Sequence, residues 1–188
     1  MNAYYYRAGR RVPVHLAASA MVSARGCEPH PPEGWRTLSL TRDQQLIVHP
    51  DIVIAAPSLE RRPVLAAVLA TAERGPSVTP GAGLYPVLVP KDGRLLLFPT
   101  GTVVAHCQSQ AARGAVDAHC AAQGWSVERP IRFLEGGLVL RPRPGVDADP
   151  VGFANLLFED VGCRFAHPVF LEEVAEPPPE QQHAPLLW

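Results

Sequence analysis

Thr102-Val103-Val104-Ala105-His106-Cys107, followed by Ser109 and the run Gln110 to Gln123, is the stretch on which the fold reading turns. β-Branched and small apolar residues make the first six a strand. Its alternation sends Val103, Ala105 and Cys107 to one side and Thr102, Val104 and His106 to the other. Ser109 is placed to cap a helix over Gln110 to Gln123, and Gly124 supplies the positive φ that ends it. Downstream, Trp125 to Ile131 and Leu138 to Arg141 read as strands around the turn Glu135-Gly136-Gly137. Asp149 then caps a helix with Pro150 in its first turn, and Phe153, Leu156 and Leu157 share one face of it. Gly162 precedes a last short strand, Cys163 to Ala166. The order strand, helix, strand, strand, helix, strand predicts an α+β protein with a ferredoxin-like split βαβ, an antiparallel sheet carrying two helices on one face.

Upstream the signals are shorter. Leu84 to Val89 and Arg94 to Phe98 form a hairpin about Pro90-Lys91-Asp92-Gly93, and Thr79 to Gly83 reads as a linker. Leu65, Val68, Leu69 and Ala72 recur at helical spacing behind a cap at Ser58, and Gly75-Pro76 stops that helix. Leu46 to Ala55 reads as a strand region broken at His49-Pro50-Asp51, Cys27 to Gly34 as a loop, and Tyr4 to Val14 as two strands around Ala8-Gly9. The ferredoxin-like unit is therefore expected to follow a smaller α/β N-terminal region.

Composition narrows the function. The chain has 188 residues, 47% hydrophobic, with 21 prolines and 15 glycines, which favours short elements and many turns over long helices. Seventeen basic against 18 acidic residues, Lys91 being the only lysine, give no electrostatic case for nucleic acid or an anionic membrane. No run approaches the roughly 18 apolar residues of a membrane span. Val12 to Ala24 ends like a signal peptide, but Pro13 and His15 interrupt it, so the cytoplasm is the expected location. Cys27, Cys107, Cys120 and Cys163 are too sparse for a disulfide scaffold and read as reduced, mostly buried thiols.

The motifs do not describe an enzyme. No G-x-S-x-G, H-E-x-x-H, phosphate-binding or dinucleotide-binding glycine pattern is present, and no cofactor is expected. His106-Cys107 and His119-Cys120 carry zinc-type donors, but neighbours on a strand or helix point apart, so core thiols beside solvent-facing histidines are expected and no metal site. The C-terminal segment is more telling. Pro177-Pro178-Pro179 holds an extended spacer that leads to the apolar Pro185-Leu186-Leu187-Trp188, the form of a peptide that fills a protease cleft.

Tyr5-Tyr6-Arg7-Ala8-Gly9-Arg10-Arg11-Val12-Pro13, Pro99-Thr100-Gly101 and, above all, Ala154-Asn155-Leu156-Leu157-Phe158-Glu159-Asp160-Val161-Gly162-Cys163-Arg164-Phe165-Ala166-His167-Pro168-Val169-Phe170 resemble the N-terminal propeptide regions of bacterial subtilisin-like serine proteases of the fervidolysin type. The similarity covers most of residues 85 to 171, with a weaker echo at the N-terminus. It implies a ferredoxin-like propeptide whose open sheet face lies on the protease while its C-terminal extension enters the active cleft, as inhibitor and often as folding helper. Trp188 is reached without the protease's Asp, His and Ser motifs, so the expectation is an inhibitor acting in trans on a separately encoded subtilisin-like serine protease.

The division is then 1–80, a strand-rich region with one helix; 84–170, the propeptide-like domain; and 171–188, a Pro-rich inhibitory tail. Val104, His106, Val139 and Arg141 are the expected sheet-face contacts. Family-like spacing puts Leu171, Glu172, Glu173, Val174 and Ala175 in the cleft, whereas the apolar end points to Pro185, Leu186, Leu187 and Trp188. The twelve residues from Pro177 span at most about 40 Å, so reach permits either. The rival expectation is an adaptor or effector-binding module that uses the same sheet without inhibiting anything.

Overall fold

A turn at Ala8-Gly9, where both residues take positive φ (51° and 75°), starts a run of antiparallel pairings that continues to residue 174. The computed structural model describes residues 3–24, 30–55, 60–71, 83–91 and 95–174. Within them the chain forms strands β1 (Ala3–Arg7), β2 (Arg10–Ser23), β3 (Arg36–Ser39) and β4 (Gln45–Val48), then helices α1 (Pro50–Ala55) and α2 (Arg61–Thr71). Strands β5 (Leu84–Pro90) and β6 (Leu95–His106), helix α3 (Gln110–Ala122), strands β7 (Trp125–Pro130) and β8 (Gly137–Pro142), helix α4 (Pro150–Glu159) and strand β9 (Phe165–Val174) complete it. The described strands lie in one curled antiparallel sheet of order β3-β4-β2-β5-β6-β8-β7, with β1 added to β2 and β9 added to β6.

This architecture overturns the expected ferredoxin-like split βαβ behind a smaller α/β region. Of the two strands expected at Arg94 to Phe98 and Thr102 to Cys107, Leu95 to Phe98 and Thr102 to His106 belong to the single strand β6, and Arg94 lies outside the described residues. Pro99-Thr100-Gly101 looks like a break but is a bulge. Pro99 pairs with Phe170 and Val103 with Pro168, so Thr100, Gly101 and Thr102 together face Val169. Gly101 takes φ 79°, and the Thr100 hydroxyl donates to the Val169 carbonyl at 3.0 Å, which satisfies a backbone group the bulge would otherwise strand. Strand β9 likewise runs on past Ala166 to Val174 and pairs with both halves of β6. A further correction falls at His49-Pro50-Asp51, which starts helix α1 rather than interrupting a strand, because Pro50 suits a first helical turn.

Of the buried clusters, the two that the helices cover lie on opposite faces of opposite halves. Leu96 and Phe98 of β6 join Val87 and Val89 of β5, Ile52 of α1 and Val64 and Val68 of α2. Val103 and Ala105 join Leu138 and Leu140 of β8, Val116 of α3 and Phe153 and Leu157 of α4, where Trp125 stacks on Phe153 at 4.3 Å. Residues of odd and even number on a strand point to opposite faces, so α1 and α2 cover one side and α3 and α4 the other. Each half therefore keeps one face that its helices do not cover.

The curl is held where β1 meets β9 and α4. Tyr5 is buried with its ring edge-on to His167 and Phe170, at 5.5 and 5.1 Å. Glu159 of α4 accepts hydrogen bonds from Tyr4, Tyr6 and Arg11 at 3.0, 2.6 and 3.0 Å, and the Asn155 amide donates to the Tyr4 carbonyl at 2.8 Å. Bonds from Tyr6 and Arg11 hold the Glu159 carboxyl below its ordinary range. Burial pushes His167 below its ordinary 6.5, with the Arg7 charge acting in the same direction.

Two outcomes follow from this geometry. A Cβ on Gly101 would meet the Tyr85 ring at 2.8 to 3.3 Å, whereas Gly145, also at φ 79°, has open space around it. Gly101→Ala is expected to lose about 2 kcal/mol or more in urea unfolding and Gly145→Ala only about 1 kcal/mol, since both incur the backbone term and one adds a clash. Because the folded state favours neutral His167, stability is full above its unfolded value near 6.5 and falls as pH drops toward the folded value. Thermal melts between pH 8 and about pH 5 should show this decline, shallower in His167→Gln.

Candidate functional site

The uncovered face of the C-terminal half is built by β6 and β8. Val104 and Val139 are cross-strand partners, His106 pairs with Gly137, and Arg141 lies two residues beyond Val139 on the same face. The structure thus brings the four expected sheet-face residues together. It also shows that they differ in access. Val104 and Arg141 are half-buried, while Val139 and His106 are buried. Arg141 lies 2.9 Å from the Glu128 carboxylate on β7, a surface ion pair that contributes little to stability.

His106 is buried because the turn between β7 and β8 folds against it. Cys107 donates its amide to the Gly136 carbonyl at 2.9 Å, and Gly136 approaches the Cys107 carbonyl so closely that no side chain would fit there. The His106 ring packs at 5.6 Å from Phe165, and its Nδ1 finds no hydrogen-bond partner among the described residues. The expected solvent-facing histidine is therefore a wall of the turn. The same turn is internally tied by Ile131 to Gly137, Leu134 to Ile131 and Gly137 to Leu134 backbone bonds of 2.9 to 3.1 Å. It holds Phe133 94% exposed beside the face, flanked by exposed Arg132. Alternation along strands gave no hint of Phe133; an aromatic just ahead of Glu135-Gly136-Gly137 was its only trace in the sequence.

The tail needs correction. Leu171, Glu172, Glu173 and Val174 belong to β9 and pair with Phe98, Leu97, Leu96 and Leu95. Leu171 packs on the α1–α2 core and Glu173 forms an ion pair with Arg61. Family-like spacing from a strand ending at Ala166 puts them in the cleft, whereas β6 extends far enough to pair them. Ala175, Pro185, Leu186, Leu187 and Trp188 lie outside the described residues.

Cys107, Cys120 and Cys163 are free and buried together under α3 and α4. Burial pushes Cys163 up to about 12 and Cys120 up to about 11, and raises Cys107 as well. Such thiols are poor nucleophiles and poor metal ligands. Among the described residues no group of three or more His, Cys, Asp and Glu side chains is placed to hold a metal ion, and no helix is long and apolar enough to cross a membrane. Comparison with models of protein families, with curated proteins and with solved structures returns no match.

In a Cys27→Ser background the three remaining thiols should resist an aromatic disulfide reagent in the folded protein and react fully in denaturant. Rapid labelling of any of them without denaturant would contradict their burial.

Proposed function

We propose that this chain binds and inhibits a subtilisin-like serine protease, using the face of β6 and β8 that carries Val104, Val139 and Arg141. The observation that carries the reading is the exposed Phe133 on a hydrogen-bonded turn beside that face. The turn backbone is already fixed by its hydrogen bonds, so docking need order only the two side-chain torsions of Phe133, and a large exposed aromatic is a residue type enriched in interfaces. The resemblance of residues 154–170 to subtilase propeptides supplies the class of partner, and the cytoplasmic location belongs to the same reading. Since the fold is one curled sheet, the proposal rests on this surface and not on a shared architecture.

Inhibition on this reading has two parts. The face and Phe133 supply the contact that slows dissociation. The sequence after β9 supplies the cleft-directed peptide, with Pro185-Leu186-Leu187-Trp188 as its apolar end. Linking the two raises the local concentration of a peptide that alone would bind weakly. Assistance in folding the protease would follow from the same contact if it forms before the protease is complete.

Titration of the purified chain into a subtilisin-type protease should abolish hydrolysis of a fluorogenic peptide at near-stoichiometric ratio. Phe133→Ala should weaken inhibition by about tenfold or more, the size of a hot-spot truncation, with the thermal midpoint unchanged because Phe133 packs on almost nothing. Removal of residues 175–188 should weaken inhibition while leaving binding measurable by calorimetry. Undiminished hydrolysis across subtilisin-type proteases overturns the reading.

A further inference from the structure

The second uncovered face, on the N-terminal half, is not bare. Here the sheet offers Leu16, Leu84, Pro86 and Leu88, and α4 with its preceding loop rises beside them to form a groove of about 780 Å³. Leu16 and Leu88 are cross-strand partners on β2 and β5, yet Leu88 is 1% exposed and Leu16 is 44% exposed. A water-facing strand position would ordinarily carry a polar residue. Instead the apolar floor continues onto Val151 and Leu156 of the α4 wall. The volume lies within the range of small-molecule sites, roughly 300 to 1,000 Å³.

The rim fixes the charge of an occupant. Asp147, Asp149, Glu159 and Asp160 line the groove, and no Arg, Lys or His is among its lining residues. Two of these carboxylates are already engaged, Asp149 in capping α4 through the Val151 amide at 3.0 Å and Glu159 with Tyr4, Tyr6 and Arg11. Gly152 allows the second oxygen of Asp149 to lie across the first turn of α4, where a side chain would displace it. Asp147 and Asp160 make no ion pair among the described residues, so two negative charges border an apolar floor without a counter-ion. A carboxylate or phosphate would be repelled, and a neutral hydrocarbon would leave those charges unused.

We propose that this groove binds a small organic cation with an apolar body, such as a protonated alkyl or aryl amine, the body lying on Leu16, Leu84 and Leu88 and the ammonium group at the acidic rim, which Asp147 borders before the first turn of α4 and Asp160 after its last. The site is separate from the inhibitory face and does not depend on that function. Each exposed carboxylate contributes modestly, but the difference between a cation and an anion counts both attraction and repulsion. Binding should also weaken with added salt, because the rim is exposed.

The probes are n-octylammonium, 1-octanol and n-octanoate, measured by calorimetry and by amide chemical shifts on the full chain. Octylammonium is expected to bind one-to-one and to shift Leu16 and Val151, with octanoate about tenfold or more weaker. Leu16→Trp, at an exposed position, should block the groove while the circular dichroism spectrum and melting point stay as in the parent chain. Asp147→Asn with Asp160→Asn should lower octylammonium affinity to that of octanol and leave octanol binding unchanged. Equal binding of octanoate and octylammonium, or undiminished binding to Leu16→Trp, overturns the proposal.

Discussion

Strand β6 serves two cores on opposite sides of the sheet, because its even-numbered Leu96 and Phe98 and its odd-numbered Val103 and Ala105 face opposite ways, and the three-residue bulge at Thr100 to Thr102 bends the strand between them. Before the bulge, Leu96 and Phe98 are buried under α1 and α2; after it, Val103 and Ala105 are buried under α3 and α4. Twelve residues of strand reach about 40 Å, so β6 extends through both halves. A straight strand of that length would hold the halves in one plane. The bulge bends and twists it, and β9 follows the bend by pairing on both sides of it. Gly101 is required because its φ of 79° and its contact with Tyr85 exclude a side chain at the bend.

Bending the sheet brings its ends together. Strand β1, attached only to β2, comes within reach of β9, and Tyr5 fills the gap between them against His167 and Phe170. The outer side of β1 is fastened to α4 through Glu159, with Arg11 stacked 4.4 Å over the Tyr4 ring. Those groups are exposed, so their value lies in geometry more than in energy: they set the distance between α4 and the sheet. That distance leaves the groove open. The same helix that completes the C-terminal core thus forms one wall of a cavity over the N-terminal half.

Local chemistry was readable in the sequence, and connectivity across the sheet was not. Ser109 accepts from the Ala112 amide and Asp149 from that of Val151, as their positions before helical runs indicated. The Ala8-Gly9 turn and the alternation that turns Val104 and Val139 outward were equally plain, since each depends on only a few adjacent residues. The bulge was misread because Pro-Thr-Gly has the composition of a break, and only the partner strand shows that it is bridged. Strand β9 was cut short because its last four residues gain their pairing from residues 95–98, more than 70 positions away. His106 and Phe133 were beyond reach for the same reason: their exposure is decided by how a turn folds back, which alternation does not encode.

The placement of two cores also decides how the two uncovered surfaces relate. The face bearing Val104 and Val139 is the reverse of the sheet region that α4 packs upon, and the groove runs along that helix from Asp149 to Asp160. A ligand in the groove bears on Val151 and Leu156, which move only with the helix. Phe153, Ala154 and Leu157 on its buried side are fixed against Val103, Ala105 and Leu138. Close-packed interiors deform little, so a shift of α4 is transmitted to the sheet as a small rigid displacement and not as a repacking. Coupling between the groove and the face is therefore expected to be weak unless the clamp at Glu159 opens. If it opens, α4 and β1 part together, and the groove and the Tyr5 contact that closes the curl are lost in the same step.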